Sequence, residues 1–555
     1  MTDYPYNLGT YSRPVTTSSS VAQQWFDRGL NWLYGYHHEE AGVCFKQCLE
    51  HDADCAMAHW GLAYIVGPNY NRPWGGFSEA ELSTLLLDAR ESLAAARAKM
   101  HNATAEERAL IHALGLRYQA HEPAADLSVW SNDYANQMRV VHQTYPDDPD
   151  ISTLFAEAMM NRTPWQLWDP RSGAPVDGAD TLECRALLEK AIAELAAAGP
   201  SRHPGLLHLY IHLMEMSPVP EVALRAADDL RHLVPDAGHL THMATHIDVL
   251  CGNYQDVVAG NSFGIAADLK YWENQGAMNF YSLYRVHNYH FKLYGAMFLG
   301  QFGQAMDAVN SMKLTIPEDL IRLESPPMAD FLEGYMSMET HALVRFGKWQ
   351  ALVDAPIPED QALYTMTTAM NYYGKGIAHA ALGQHDDAAA AQQQFEKAAA
   401  LVSEDKYIHV VSCQQILAVA REMLAGEVQY HKGNYSKAFD HLRQAVKLED
   451  ELPYDEPWGW MMPSRHALAA LLLEQDHIEE AAVAYESDLG LNSSVIRSNQ
   501  HPDNVWALLG LHKCYERLGR DRDARFIKPR LDFALSRADK EIYASCFCSM
   551  KKTAK

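Results

Sequence analysis

Positive charge is scarce in this chain: 46 Lys and Arg stand against 71 Asp and Glu, a formal net charge of −25 over 555 residues. Nucleic acids and anionic membrane surfaces are gripped by basic faces, so neither is expected as a partner. Long apolar runs are missing as well. No stretch approaches the roughly 18 consecutive apolar residues of a membrane-spanning helix, so none is expected. The opening residues, MTDYPYNLGTYSRPVTTSSS, hold no basic segment followed by an apolar one. They read as an extended leader over residues 1–24 rather than a secretory signal, and a cytoplasmic location is the expectation that follows. Nucleotide fingerprints and flavin motifs are not found, so no organic cofactor is expected. Neither His-Glu-x-x-His nor His-x-x-Glu-His occurs, which excludes the standard metalloprotease spacings. The nine cysteines follow no framework and read as reduced, packed thiols; Cys546 and Cys548, in SCFCSM, are only a weak metal-binding signal.

Histidine, by contrast, is concentrated. Residues 203 to 246 hold seven of the 27: His203, His208, His212, His232, His239, His242 and His246. An even spread would place about two there. Residues three or four apart on an α-helix share a face. His208, His212 and Glu215 therefore form one ladder, His239, His242 and His246 a second, and His287 and His290 a third pair. If those helices pack side by side, the imidazoles and the Glu215 carboxylate converge on one metal or two. A lone histidine on an inner helix face is ordinarily a hydrogen-bonded core residue. Clustering shifts that balance, because imidazoles crowded together without a metal suffer desolvation and, once protonated, mutual repulsion. His203 and His232 fall outside the ladders and read as loop or surface residues.

The rest of the chain reads as repeats. Gly-x-aromatic-x-x-small recurs as Gly252/Tyr254/Val257, Gly300/Phe302/Ala305, Gly347/Trp349/Leu352 and Gly433/Tyr435/Ala438, with looser copies at Gly383/His385/Ala388, Asp476/Ile478/Ala481 and Gly519/Asp521/Ala524. Glycine ends one helix in a left-handed turn, the aromatic plugs the hairpin, and the small residue lets the second helix approach. Tyr36, His38 and Ala41 occupy the same three slots near the N-terminus. This pattern resembles the tetratricopeptide repeat, with spacings of 48, 47, 36, 50, 43 and 43 residues from Gly252 onward instead of about 34. Longer helices or loop insertions are expected, the latter in the proline-bearing stretches LTIPEDLIRLESPPM and LEDELPYDEPWGWMMPS.

Between the first repeat and the histidines lie AHWGLAYIVGPNYNRPW and FAEAMMNRTPWQLWDP. The second places Glu157, Asn161, Trp165 and Trp168 at helical spacings. Two readings stand open: the tryptophans plug a helix terminus that Glu157 and Asn161 cap, or Glu157 and Asn161 face the histidines and the tryptophans wall a small-molecule pocket.

The segments CAMAHWGLA, GPNYN, AEAMMNRTPWQLW, HPGLLHLYIHLME, GHLTHMATHI and HNYHF together resemble a group of bacterial and fungal tetratricopeptide repeat proteins that share them, over about residues 25 to 350. The histidine segments are also similar to those of vertebrate tetratricopeptide repeat proteins with HxxAHI and HNxxH segments. The resemblance implies an all-α fold, a TPR-like superhelix of helical hairpins (an α-solenoid), to which the repeat spacing adds long inter-repeat loops, and it makes the histidines a signature of the group. It implies no activity.

The expected organisation is a leader (1–24), N-terminal TPR-like helices (25–200), histidine-rich central helices (201–310) and C-terminal TPR-like repeats (311–555). The expected metal ligands are His208, His212, Glu215, His239, His242, His246, His287 and His290; Glu215, Glu157 and Asn161 are the candidate catalytic groups. Many imidazoles, few carboxylates and neighbouring Tyr210, Met214, Met243, Tyr281, Tyr284 and Tyr289 describe a soft pocket that suits copper or iron and an organic substrate. The leading expectation is an oxygen-using oxidoreductase acting on a small molecule. With Glu215 unligated as base, zinc would make a hydrolase or lyase. The other class is an interaction scaffold, with a protein partner on the C-terminal repeats.

Overall fold

The computed structural model describes residues 4–324 and 326–549. The chain is all-α and of the TPR-like α-solenoid class: helix follows helix in hairpins. The one strand pair among the described residues is Tyr407–Ile408 with Val411–Ser412. Two compact units are formed, Met1–Ile247 with Ala266–Tyr271, and Asp248–Ile265 with Trp272–Lys555.

The turn pattern is realised in the backbone. Gly252, Gly300, Gly347, Gly383, Gly433 and Gly519 all have φ between 60° and 81°. Two residues after each, a helix begins, at Tyr254, Phe302, Trp349, His385, Tyr435 and Asp521. Asp476, at φ 64°, and Tyr36, at φ 55°, take the glycine's place and are followed in the same register by helices starting at Ile478 and His38. The aromatic slot is less uniform than the sequence implies: Tyr254 and Trp349 are buried, Phe302 half-buried, and Tyr435 exposed.

In the first unit, the helices Ser20–Tyr34 and His38–His51 form a hairpin over which the N-terminal segment is strapped. The Tyr4 hydroxyl donates to Glu40 at 2.9 Å, the Tyr11 hydroxyl to Asp150 at 2.8 Å, and Arg13 bridges Asp148 and Asp150 at 2.8 Å each. The helix Pro204–Glu215 is buried over its whole length, as the apolar residues between its histidines demand. Gly205 lets it in: a Cβ there would lie 2.6 Å from Thr153 and 2.7 Å from the Tyr34 ring. His203, expected in a loop or at the surface, is instead buried. Its Nδ1 accepts from the Leu206 amide at 3.2 Å, capping this helix, and its Nε2 meets Asp150 at 3.2 Å. His232 is exposed, as expected.

In the second unit, the proline-bearing stretch after the helix Tyr435–Asp450 runs inward rather than over the surface. Asp455, Glu456, Trp458, Trp460 and Met461 are all buried. A further buried polar node ties this unit together: Asp488 receives His466 at 2.8 Å, His501 at 2.8 Å and the Asn504 amide at 2.9 Å.

Candidate metal centre

The ladders of the first unit meet. His208 and His212 on the helix Pro204–Glu215 face His239, His242 and His246 on the helix that begins at Gly238, and all five rings are buried. Neighbouring ring centroids lie 4.8 Å (His208–His212), 4.9 Å (His208–His239), 5.6 Å (His239–His242) and 4.6 Å (His242–His246) apart. His208, His212 and His239 each offer a nitrogen within 4.8 Å of the other two, and His212, Glu215 and His246 offer ligand atoms within the same limit.

The Nδ1 atoms of three rings are taken by acceptors. His208 Nδ1 donates to the Tyr34 carbonyl at 2.7 Å, His212 Nδ1 to Glu215 Oε1 at 2.9 Å, and His246 Nδ1 to Glu215 Oε2 at 2.6 Å. An imidazole that donates from Nδ1 keeps its lone pair on Nε2. Those Nε2 atoms point inward: His208 Nε2 lies 3.1 Å from His239 Nε2, and His246 Nε2 lies 2.7 Å from His242 Nε2. Two nitrogens each about 2.0–2.1 Å from a shared metal stand about 3 Å apart, so both pairs have the separation of ligands on one ion. Glu215 was open at the sequence level as ligand or base; here both of its oxygens orient imidazoles.

Burial pushes His208 down to about 3, and burial with His208, His242, His212 and His246 around it holds His239 well below the usual imidazole range. Both rings are therefore neutral at physiological pH, the form that binds metals.

Three aromatic rings wall the cluster. Tyr36 lies 4.6 Å from His208 and 5.8 Å from His239, ring to ring. Tyr70, from the GPNYN turn, lies 5.1 Å from His212, and Trp165 stacks on Tyr70 at 5.2 Å while meeting His212 edge-on at 6.0 Å. Tyr36 and Trp165 both sit at positive φ, 55° and 61°. A side chain held there costs on the order of 1–3 kcal/mol, and such residues concentrate at functional sites. Sequence reasoning missed Tyr36 and Tyr70 as lining residues, although a tyrosine in a slot filled elsewhere by glycine or, once, by Asp476 was a signal.

The two open readings of the tryptophan segment divide between its residues. Trp165 walls the histidine cluster, whereas Trp168 donates to the Leu213 carbonyl at 2.6 Å and props the helix Pro204–Glu215. Asn161 terminates the helix Pro149–Met160. Glu157 accepts from the Tyr64 hydroxyl, and burial, opposed by Arg117, Tyr64 and Asn161, raises its carboxyl above the usual range. Tyr210, expected at the pocket, instead donates to Glu189 at 2.8 Å. His38 bonds the Ile65 carbonyl at 2.7 Å and is a hairpin plug. A Gly-x-Ser-x-Gly stretch, Gly260 to Gly264, lies inside the helix Tyr254–Gln275, where Ser262 donates to the Val258 carbonyl at 2.7 Å; it lacks the strand-to-helix turn of a nucleophile elbow.

His287 and His290 belong to the second unit, on the helix Ser282–Leu299. There the His287 ring lies 5.1 Å from His409, whose Nδ1 meets Asp455 at 2.5 Å, and His290 packs edge-on against Tyr335 at 5.2 Å. Burial, with His341 and His409 nearby, pushes His290 down to about 3.

No family model and no curated protein sequence matches the chain. Solved structures similar to it are helical repeat proteins. The human IFIT1 dimer with m7Gppp-AAAA matches at 11% identity and a TM-score of 0.32, covering 95% of this chain and 92% of that one. Yeast Tom70 matches at 10% identity and a TM-score of 0.27, covering 93% of each chain. The APC/C hetero-tetramer Cut9-Hcn1 matches at 13% identity and a TM-score of 0.21, covering 94% of each chain.

Proposed function

We propose that His208, His212, His239, His242 and His246 hold one or two transition-metal ions, and that the protein is a metal-dependent oxidoreductase using dioxygen on a small organic molecule. The observation that carries this reading is the pairing of tied Nδ1 atoms with inward Nε2 atoms at 3.1 and 2.7 Å. Glu215 fixes two of these rings in the metal-binding tautomer and is available as a base. A neutral, imidazole-rich donor set suits copper or iron, and zinc in their place would move the reading to a hydrolase or lyase. Copper or iron supplies one-electron chemistry with dioxygen; the chain supplies the aromatic wall of Tyr36, Tyr70 and Trp165 for an organic substrate. Glu157, with its raised carboxyl and Asn161 one turn away, is the proposed proton donor. His287 and His290 are kept as candidate imidazole ligands.

The test is metal content of protein purified without a metal column. Near-stoichiometric copper or iron is expected, and His212→Ala and His246→Ala should each lose metal while keeping the far-UV helical signal. Protein that is metal-free and cannot be reconstituted with copper, iron or zinc would defeat the proposal.

A scaffold role is the second reading, and one observation favours it. The second unit carries a groove of about 250 Å³ lined by Lys313, Thr340, Asn371, Leu343, Leu352 and Ile357. Glu339 lines the groove as well and pairs with Lys313, so the amide and aliphatic lining is what suits an extended peptide. Asn371→Ala would weaken such a partner and leave metal content unchanged.

A further inference from the structure

The second unit contains a polar cluster that the histidine chemistry does not use. Cys546 and Cys548 form a disulfide, whereas Cys44, Cys48, Cys55, Cys184, Cys413 and Cys514 are buried thiols and Cys251 is a half-buried one. The sequence reading of reduced thiols thus holds for all but this pair. The segment that carries it is docked rather than trailing. Phe547 packs at right angles against Trp506 at 5.6 Å and lies over Gly347, where a Cβ would come within 2.8 Å of it. The Ser545 carbonyl accepts from Arg345 at 3.2 Å, and the Ser545 hydroxyl bonds that of Tyr485.

This docking places the pair over Glu427, on the helix Cys413–His431. A carboxylate oxygen of Glu427 and both sulfurs lie within 4.8 Å of one another. Glu427 is 1% exposed, and its Oε2 has no hydrogen-bond partner among the described residues. From the helix Thr365–Ala381, the titratable neighbour is Tyr373, which is fully buried and whose pKa is raised by burial and by Glu427; two cations bond the cysteine segment, Arg345 at the Ser545 carbonyl and Lys513 at the Tyr543 carbonyl. An isolated carboxyl in such a place is costly unless it is protonated. Burial alone pushes Glu427 up to about 8, so at neutral pH it carries a proton beside the disulfide.

We propose that Cys546, Cys548 and Glu427 form a thiol–disulfide exchange site that reacts with a thiol reductant. Cys546 is half-exposed and Cys548 buried, so an external thiolate attacks Cys546 Sγ. The Cys546–Cys548 bond breaks, a mixed disulfide forms between the reductant and Cys546, and the Cys548 thiolate leaves and takes the Glu427 proton. A second thiolate attacks the reductant's sulfur in that mixed disulfide and releases Cys546 as the thiolate. The products are the dithiol protein and one molecule of oxidised reductant. The two protons come from the two thiols consumed, and Glu427 is reprotonated from solvent. A structural disulfide would need no acid at its leaving sulfur.

The test uses the full chain and glutathione at pH 7, with free thiols counted by alkylation and mass spectrometry. The wild type should show a reversibly reducible Cys546–Cys548 pair, and Glu427→Gln should slow its reduction at least tenfold, as expected when a positioned general acid is removed. Should Glu427→Gln fail to fold, the cysteine variants decide. With oxidised glutathione, Cys548→Ser should form a mixed disulfide at Cys546 at least tenfold faster than Cys546→Ser forms one at Cys548. Equal rates in wild type and Glu427→Gln, or equal labelling of the two serine variants, would overturn the proposal. So would isolation of the pair as two thiols holding stoichiometric zinc, which would make it a metal site.

Discussion

Replacing Glu215 by glutamine tests the proposed centre without changing its volume. Each Glu215 oxygen accepts one Nδ1–H, from His212 at 2.9 Å and His246 at 2.6 Å. Glutamine has one oxygen to accept with and one NH2 that donates. It can therefore hold one of the two imidazoles in the present tautomer and must turn the other, whose proton moves to Nε2 and blocks that nitrogen as a ligand. Disturbing the partner of a ligating histidine typically lowers metal affinity about 10–100-fold, or about 1.4–2.7 kcal/mol. The measurement is competition for zinc and copper between metal-free protein and a chromophoric chelator, with far-UV circular dichroism as the control for folding. A sharper expectation comes from combining variants. His246→Ala protein, which loses its metal on purification, still binds added metal weakly through the remaining imidazoles; in that background the amide oxygen can serve His212 alone, so Glu215→Gln should then cost little, and the two changes should be non-additive by about 1 kcal/mol or more. Wild-type affinity in Glu215→Gln, or an equal penalty with and without His246, would refute the role given to this carboxylate.

Three other outcomes are expected. At Tyr36 both truncations lose a buried ring, about 3–5 kcal/mol, but glycine accepts φ 55° without strain and alanine does not. Tyr36→Gly should therefore be about 1 kcal/mol more stable than Tyr36→Ala by denaturant midpoint, and the reverse order would contradict the strained backbone. Burial opposes ionisation of Asp150, but His203, Arg13 and Tyr34 outweigh it and hold its carboxyl well below the usual range. The stability it contributes is present above the unfolded-state value near about 3.9 and is lost as pH falls below it. Asp150→Asn should destabilise by about 3 kcal/mol at pH 7, since Arg13 keeps Asp148, with the gap narrowing below pH ~4; a constant gap in urea titrations would count against it. Glu427 has the opposite sign. Its carboxyl is pushed up to about 8 by burial, so its protonated form favours folding at low pH and that contribution is lost as pH rises from about 4.5 to 8. Relative to Glu427→Gln, the wild type should lose on the order of 4 kcal/mol across that window, read as a falling difference in Tm.

What could be read from the sequence follows the physics of helices. Turn positions were legible because a left-handed residue between two helices demands glycine, and Gly252, Gly300, Gly347, Gly383, Gly433 and Gly519 all supply it. The ladders were legible because helical spacing fixes which residues share a face, and five of the expected imidazoles do face one another. Spacing does not fix what each ring nitrogen meets. That depends on tertiary partners such as the Tyr34 carbonyl, 174 residues from His208 in sequence, so the tautomers and the orienting role of Glu215 were out of reach. The burial of His203 depends likewise on Asp150, 53 positions away.

Tyr36 shows that a repeat can reveal more than its consensus. A slot that needs positive φ is cheapest to fill with glycine, and a bulky residue there carries a strain that its own turn does not repay. Asp476 can ease it, since a short polar side chain tolerates the left-handed region. Tyrosine cannot, so its ring must be held by contacts elsewhere, and those contacts are His208, His212 and His239. The departure from the chain's own rule thus falls where the backbone strain and the imidazoles coincide. On that argument, the first hairpin is part of the candidate centre rather than only its support.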